Sequence, residues 1–64
     1  MGAVIIIGGD RIEAEPGRTV ADAFSSSGRY PDAYLFLIEG TPVPMDTVLE
    51  DGMSVKALRV ASGG

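Results

Sequence analysis

The chain has 64 residues, 45% of them hydrophobic and 22% charged. That suits one small folded domain rather than a disordered segment, and a chain this short buries only about 60% of the surface it exposes when unfolded, too little to enclose a large enzyme cleft. With no Cys and no His, disulfide staples, thiolate nucleophiles, imidazole bases and the usual zinc ligands are all excluded. Nine acidic against five basic residues, a net charge of -4, argue against a nucleic-acid partner, whose phosphates are held by Lys and Arg, and favour a basic partner surface.

No apolar run approaches the roughly 20 residues that span a bilayer, and no basic segment precedes the first one. The expectation is a soluble, cytoplasmic protein without a membrane partner. Gly2 does not make a myristoylation signal, because Ile6 stands where that motif requires Ser or Thr.

The first element in chain order is Ala3-Val4-Ile5-Ile6-Ile7, a β-branched run closed by Gly8-Gly9-Asp10, which predicts a buried strand entering a tight reversal. A second strand is expected over Arg11 to Glu15, where charged residues alternate with Ile12 and Ala14 at the period of a one-face-buried edge strand. Pro16-Gly17 ends it. Thr19 then caps a short helix over Thr19 to Ser27, with Asp22 three residues on and Val20, Ala23 and Phe24 sharing one face. The serine triplet is a poor helix interior and Gly28 is a C-cap, so about two turns are expected.

Pro31 is expected to return the chain to an extended path. Ala33 to Ile38 reads as a third strand, apolar enough to be buried on both sides or to face a partner on its second side. Glu39-Gly40-Thr41-Pro42 reads as a turn, Met45 to Asp51 as an irregular crossover with one very short strand or 3₁₀ turn, and Met53 to Val60 as the last strand. The order β-β-α-β-(β)-β fits an α+β, β-grasp arrangement over residues 1–60: a mixed sheet of four to five strands with one short helix on one face. A mobile tail is expected over residues 61–64.

Conventional catalytic constellations are weak. Glu13 with Glu15, and Glu50 with Asp51, read as solvated carboxylates without a third ligand or an apolar pocket. Gly8-Gly9 precedes a strand rather than the helix that a phosphate loop needs. Ser25 to Ser27 have no histidine to activate them, and Tyr30, Tyr34 and Phe36 are better explained by core packing than as a base-stacking platform. The remaining feature is the pair Gly63-Gly64 directly after an apolar strand. Glycine lets a backbone thread a narrow channel, and four extended residues reach about 14 Å, enough to carry a main-chain carboxylate into another protein's active site.

Three stretches together, Tyr34-Leu35-Phe36-Leu37-Ile38-Glu39-Gly40-Thr41-Pro42-Val43-Pro44, Asp51-Gly52-Met53-Ser54-Val55-Lys56-Ala57-Leu58-Arg59-Val60 and the closing Gly63-Gly64, with Thr19-Val20-Ala21-Asp22 as the helix start, carry a resemblance over nearly the whole chain. It resembles the small β-grasp, ubiquitin-like modifiers and sulfur carriers, especially the archaeal small modifier proteins, the small subunit of molybdopterin synthase and the thiamine-pathway sulfur carrier.

The resemblance implies a protein that is not itself an enzyme and holds no permanent cofactor. An E1-like activating enzyme, using ATP and magnesium, would adenylate the Gly64 carboxylate. The product would become a thiocarboxylate for a sulfur-acceptor enzyme or be conjugated to a lysine of a target protein, the missing Cys and His being supplied by the partner. Alternation along the last strand puts Val55 and Ala57 under Phe24 and leaves Leu58 and Val60 on the other face. Leu58, Val60, Arg59 and Phe36 are the candidate docking residues. Lys56, the only lysine, is the candidate acceptor if the protein forms chains, with the N-terminal amine as the other. The protein is expected to be a monomer. Two alternatives stay open: a permanent enzyme subunit like the small subunit of molybdopterin synthase, and a noncovalent binding module working through an exposed sheet edge.

Overall fold

Each apolar segment finds its partner in a computed structural model that describes residues 2–60. The β-branched N-terminal run forms β1 (Ala3–Ile7), and a two-residue loop, with Gly8 at φ 56, returns it as β2 (Asp10–Ala14), Ile7 standing opposite Asp10. A glycine at positive φ in the first loop position keeps the turn compatible with strand twist. The second strand thus begins and ends one residue earlier than the alternation alone suggests, because the turn sets its register.

Helix α1 (Val20–Ser26) is capped by Thr19, whose Oγ1 accepts from the Asp22 N–H at 3.1 Å. Two more orphan donors of the first turn are also satisfied, Val20 by the Thr47 carbonyl at 2.9 Å and Ala21 by that of Met45 at 2.8 Å, before the helix's own bonding starts with Ala23 donating to Thr19 at 3.1 Å. A seven-residue helix is marginal alone, so these bonds to a distant segment matter as much as its propensity. Gly28, at φ 86, follows the Ser27 cap and lets the chain leave the helix.

Pro31–Ala33 form a single 3₁₀ turn rather than the extended path expected after Pro31, and β3 (Tyr34–Ile38) starts one residue later than anticipated. Thr41 and Pro42, expected in the turn, belong to β4 (Thr41–Val43). The reversal consists of Glu39 and Gly40 alone, at φ 51 and 79, the paired left-handed conformations of a type I′ hairpin. Pro42 stands opposite Leu37 on a strand with one neighbour, and its missing N–H is tolerated because an edge strand has a side that needs no donor. The final strand is β5 (Ser54–Arg59).

The five strands lie in the order β2-β1-β5-β3-β4, with β1 and β5 parallel at the centre and the other pairs antiparallel. This is an α+β fold of one five-stranded mixed sheet and one helix. The core lies between them: Ala3, Ile5, Phe36, Val55 and Ala57 from the sheet meet Val20, Ala23 and Phe24 from α1. The Phe24 ring sits edge-on to Tyr34 at 4.7 Å and to Phe36 at 5.0 Å, a favoured quadrupole arrangement. Leu49 closes the core from the crossover, held by its N–H to the Arg18 carbonyl at 2.7 Å and its own carbonyl to the Gly17 N–H at 2.8 Å. Among the described residues, no helix is long and apolar enough to cross a membrane.

Candidate functional site

Because α1 covers one face of the sheet, strand alternation commits the other face to solvent. The register aligns Arg11, Ile6, Lys56, Leu37 and Pro42 in one row across all five strands, and sets Leu35 beside Leu58 in the next. Ile6, Leu35 and Leu58 are 39–41% exposed, so none is buried in the fold, and with half-buried Leu37 they share one face, grouped around Lys56. A shallow hollow of about 570 Å³ opens there between Ile6, Leu37, Gly40 and Lys56. Apolar side chains gathered on one exposed face around a single central charge, Lys56, have the make-up of a protein-docking surface.

Leu58 and Val60 both lie on the solvent side of the last strand, and Val60 is 43% exposed. The Val60 N–H donates to the Ala33 carbonyl at 3.0 Å, which carries the extended path one residue past β5. Lys56 occupies the middle of the open face, opposite Ile6 and Leu37, and is exposed. Arg59 stands opposite Tyr34 and is exposed, but it has the parity of the helix side and does not share a face with Leu58.

Phe36 is a correction. It is 2% exposed, pinned edge-on against Phe24, and cannot meet a partner without opening the core. Its place in the docking set is taken by the two residues beside it, Leu35 and Leu37. Gly63 and Gly64, on which the activation chemistry is expected to turn, lie outside the described residues, as does the whole of the 61–64 tail.

Sequence reasoning missed Ile6, Leu35 and Leu37 as members of this surface. A usable signal existed in the third strand, where Tyr34, Phe36 and Ile38 alternate with Leu35 and Leu37. Uniform hydrophobicity hid it, since periodicity is invisible where both faces are apolar. The sequence matches no family model and no curated protein.

Proposed function

We propose that the chain is a ubiquitin-like β-grasp protein acting as a protein modifier or sulfur carrier, with the Gly64 carboxylate as the group that is activated. The observation that carries this is the disposition of β5. It runs beside the apolar open face, contributes Leu58 to it and continues through Val60. A partner seated on that face would therefore have the residues after Val60 within reach of its active site. The β-grasp reading is supported by two hairpins flanking a parallel β1–β5 pair, with one helix across a single face.

The chemistry asks little of this chain's side chains. A Gly64 carboxylate oxygen attacks the α-phosphorus of ATP and pyrophosphate leaves, with magnesium and the catalytic groups belonging to the activating enzyme. Sulfide, or a lysine amine of a target protein, then attacks the acyl carbon and AMP leaves, giving a thiocarboxylate or an isopeptide bond. The domain's contribution is recognition, through Ile6, Leu35, Leu37 and Leu58, and reach, through two terminal glycines that pass a narrow channel. The cytoplasm, where ATP is abundant, is the proposed site of action.

Lys56 adds a constraint. It stands in the centre of the same face, so an acyl group on its Nζ would cover the surface used for docking. Chain growth through Lys56 and activation of the same copy are thus mutually exclusive.

The test is intact-mass analysis of the wild type and a Gly64 deletion, incubated with ATP, magnesium, the host's activating enzyme and either a sulfide source or the host's lysine-bearing proteins. The expected result is exchange of one oxygen for sulfur, or a mass increase by a target protein less one water, in the wild type alone. Activation requires a free Gly64 carboxylate, which the mass of the protein isolated from its host reports directly. No change in either protein, with the enzyme active on another substrate, would overturn the proposal.

A further inference from the structure

The outer edge of β2 has a pattern that the docking face does not explain. In the order β2-β1-β5-β3-β4, β2 has β1 on one side and no strand on the other among the described residues. The pair that closes a two-residue hairpin, here Ile7 and Asp10, is a hydrogen-bonded one. By alternation Asp10, Ile12 and Ala14 direct their backbone groups to β1, while Arg11 and Glu13 turn an N–H and a C=O outward. The edge has no proline or bulge of the kind that usually blunts one.

The side chains on this edge are self-complementary. Arg11 and Glu13 lie on the open side of the sheet, opposite Ile6 and Val4, and both are exposed. Neither has an ion-pair partner among the described residues, where Arg29 with Asp10 at 3.5 Å is the one salt bridge. If a second β2 is laid antiparallel with Ile12 facing Ile12 of the other copy, each Arg11 stands opposite a Glu13. The same register makes Arg11 and Glu13 the hydrogen-bonded pairs, so their four outward backbone groups are satisfied twice over. Sliding by two residues one way sets Arg11 against Arg11, and the other way sets Glu13 against Glu13 at the centre, with Arg11 opposite only Glu15, past the end of the strand. Opposite charges directly across a strand pair stabilise and like charges destabilise, so one register is selected.

On the other side of the sheet, half-buried Ile12 borders a groove of about 190 Å³ between β2 and α1, lined also by Ala14, Ala23, Arg18 and Ser26. The facing Ile12 would lie over its mouth. We infer that β2 is a homotypic interface: two copies of this chain pair edge to edge about a two-fold axis at Ile12, joining their sheets into one of ten strands. An isologous contact of this kind closes on itself and uses up both free β2 edges, so it does not propagate into fibres. The strands are five residues long and each copy carries a net charge of -4, so the dimer is weak, with a dissociation constant on the order of 0.1–1 mM. It leaves Leu58, two strands away, and Leu35 and Leu37, three strands away, uncovered.

The test is the translational diffusion and amide chemical shifts of the full chain as concentration is raised through that range. Slowing diffusion with shifts confined to β2 and the facing side of α1 is expected. Arg11→Glu and Glu13→Arg, each at an exposed position, should each weaken self-association about tenfold, because two attractive pairs become repulsive. Mixing the two variants, or combining both changes in one chain, should restore it. A monomer at every concentration, shifts centred on Ile6, Leu35 and Leu58 instead, or charge reversals without effect would each overturn the inference. The contact is argued from β2 alone, so its outcome is independent of the activation chemistry.

Discussion

The two faces of β1 and β3 carry similarly apolar side chains and meet different fates. On the helix side Ala3, Ile5, Phe36, Val55 and Ala57 are each no more than 2% exposed, whereas on the open side Ile6, Leu35 and Leu58 remain 39–41% exposed. β1 and β3 are apolar on both sides, and there the difference comes from having a single seven-residue helix, which covers one side only. Hydrophobicity therefore marks where a surface can be buried, while topology decides which surface is buried within the chain. What the fold leaves uncovered is available to a partner, and β5 contributes to both faces at once.

The sharpest way to break this asymmetry is to remove its centre on the helix side. Phe24 is fully buried and touches both Tyr34 and Phe36, so Phe24→Ala should lose about 3–5 kcal/mol. A chain of 64 residues has a total stability of about 3–10 kcal/mol, and circular dichroism should find the variant largely unfolded or melting far below the wild type. Leu49→Ala should follow at about 2–5 kcal/mol in urea unfolding, since Leu49 is 1% exposed despite lying outside any regular element. Thr19→Ala removes the side-chain cap on Asp22 and should cost about 1 kcal/mol.

The hairpin turn offers a change in the opposite direction. Glu39 holds φ 51, a conformation unfavourable for most side chains and better tolerated by Asn, so Glu39→Asn should stabilise by about 0.5 kcal/mol, read as a small rise in the urea midpoint. On the open face the expectation divides stability from function. Leu58→Ser should shift unfolding by about 1 kcal/mol or less, yet sharply slow thiocarboxylate or conjugate formation, seen by intact mass. Unimpaired activation of that variant would count against docking through this face.

Much of the fold was legible in the chain because several local signals agreed. The β-branched run, the Thr19 cap with Val20, Ala23 and Phe24 on one face, and the alternation from Val55 to Val60 all point to their observed positions. Thr41–Val43 was not, because two prolines around Val43 resemble a turn and only an edge location makes Pro42 acceptable in a strand. Leu49 was likewise hidden, since its burial depends on backbone bonds to Gly17 and Arg18 some thirty residues earlier, and no local period encodes them. In the candidate site, Leu58, Val60 and Lys56 follow from parity alone. Phe36 was misassigned and Leu35 overlooked because a strand apolar at every position conceals which face meets the helix.

Phe36 and its neighbour Leu35 give the most direct test of a sheet with one structural face and one free face. They are adjacent on β3, similar in hydrophobicity and opposite in orientation, 2% and 40% exposed. Urea unfolding of Phe36→Ala and Leu35→Ala beside the wild type should show a loss of about 3–5 kcal/mol for the first and about 1 kcal/mol or less for the second. Comparable losses at the two positions would mean that both faces are needed to hold the fold, and would contradict the account.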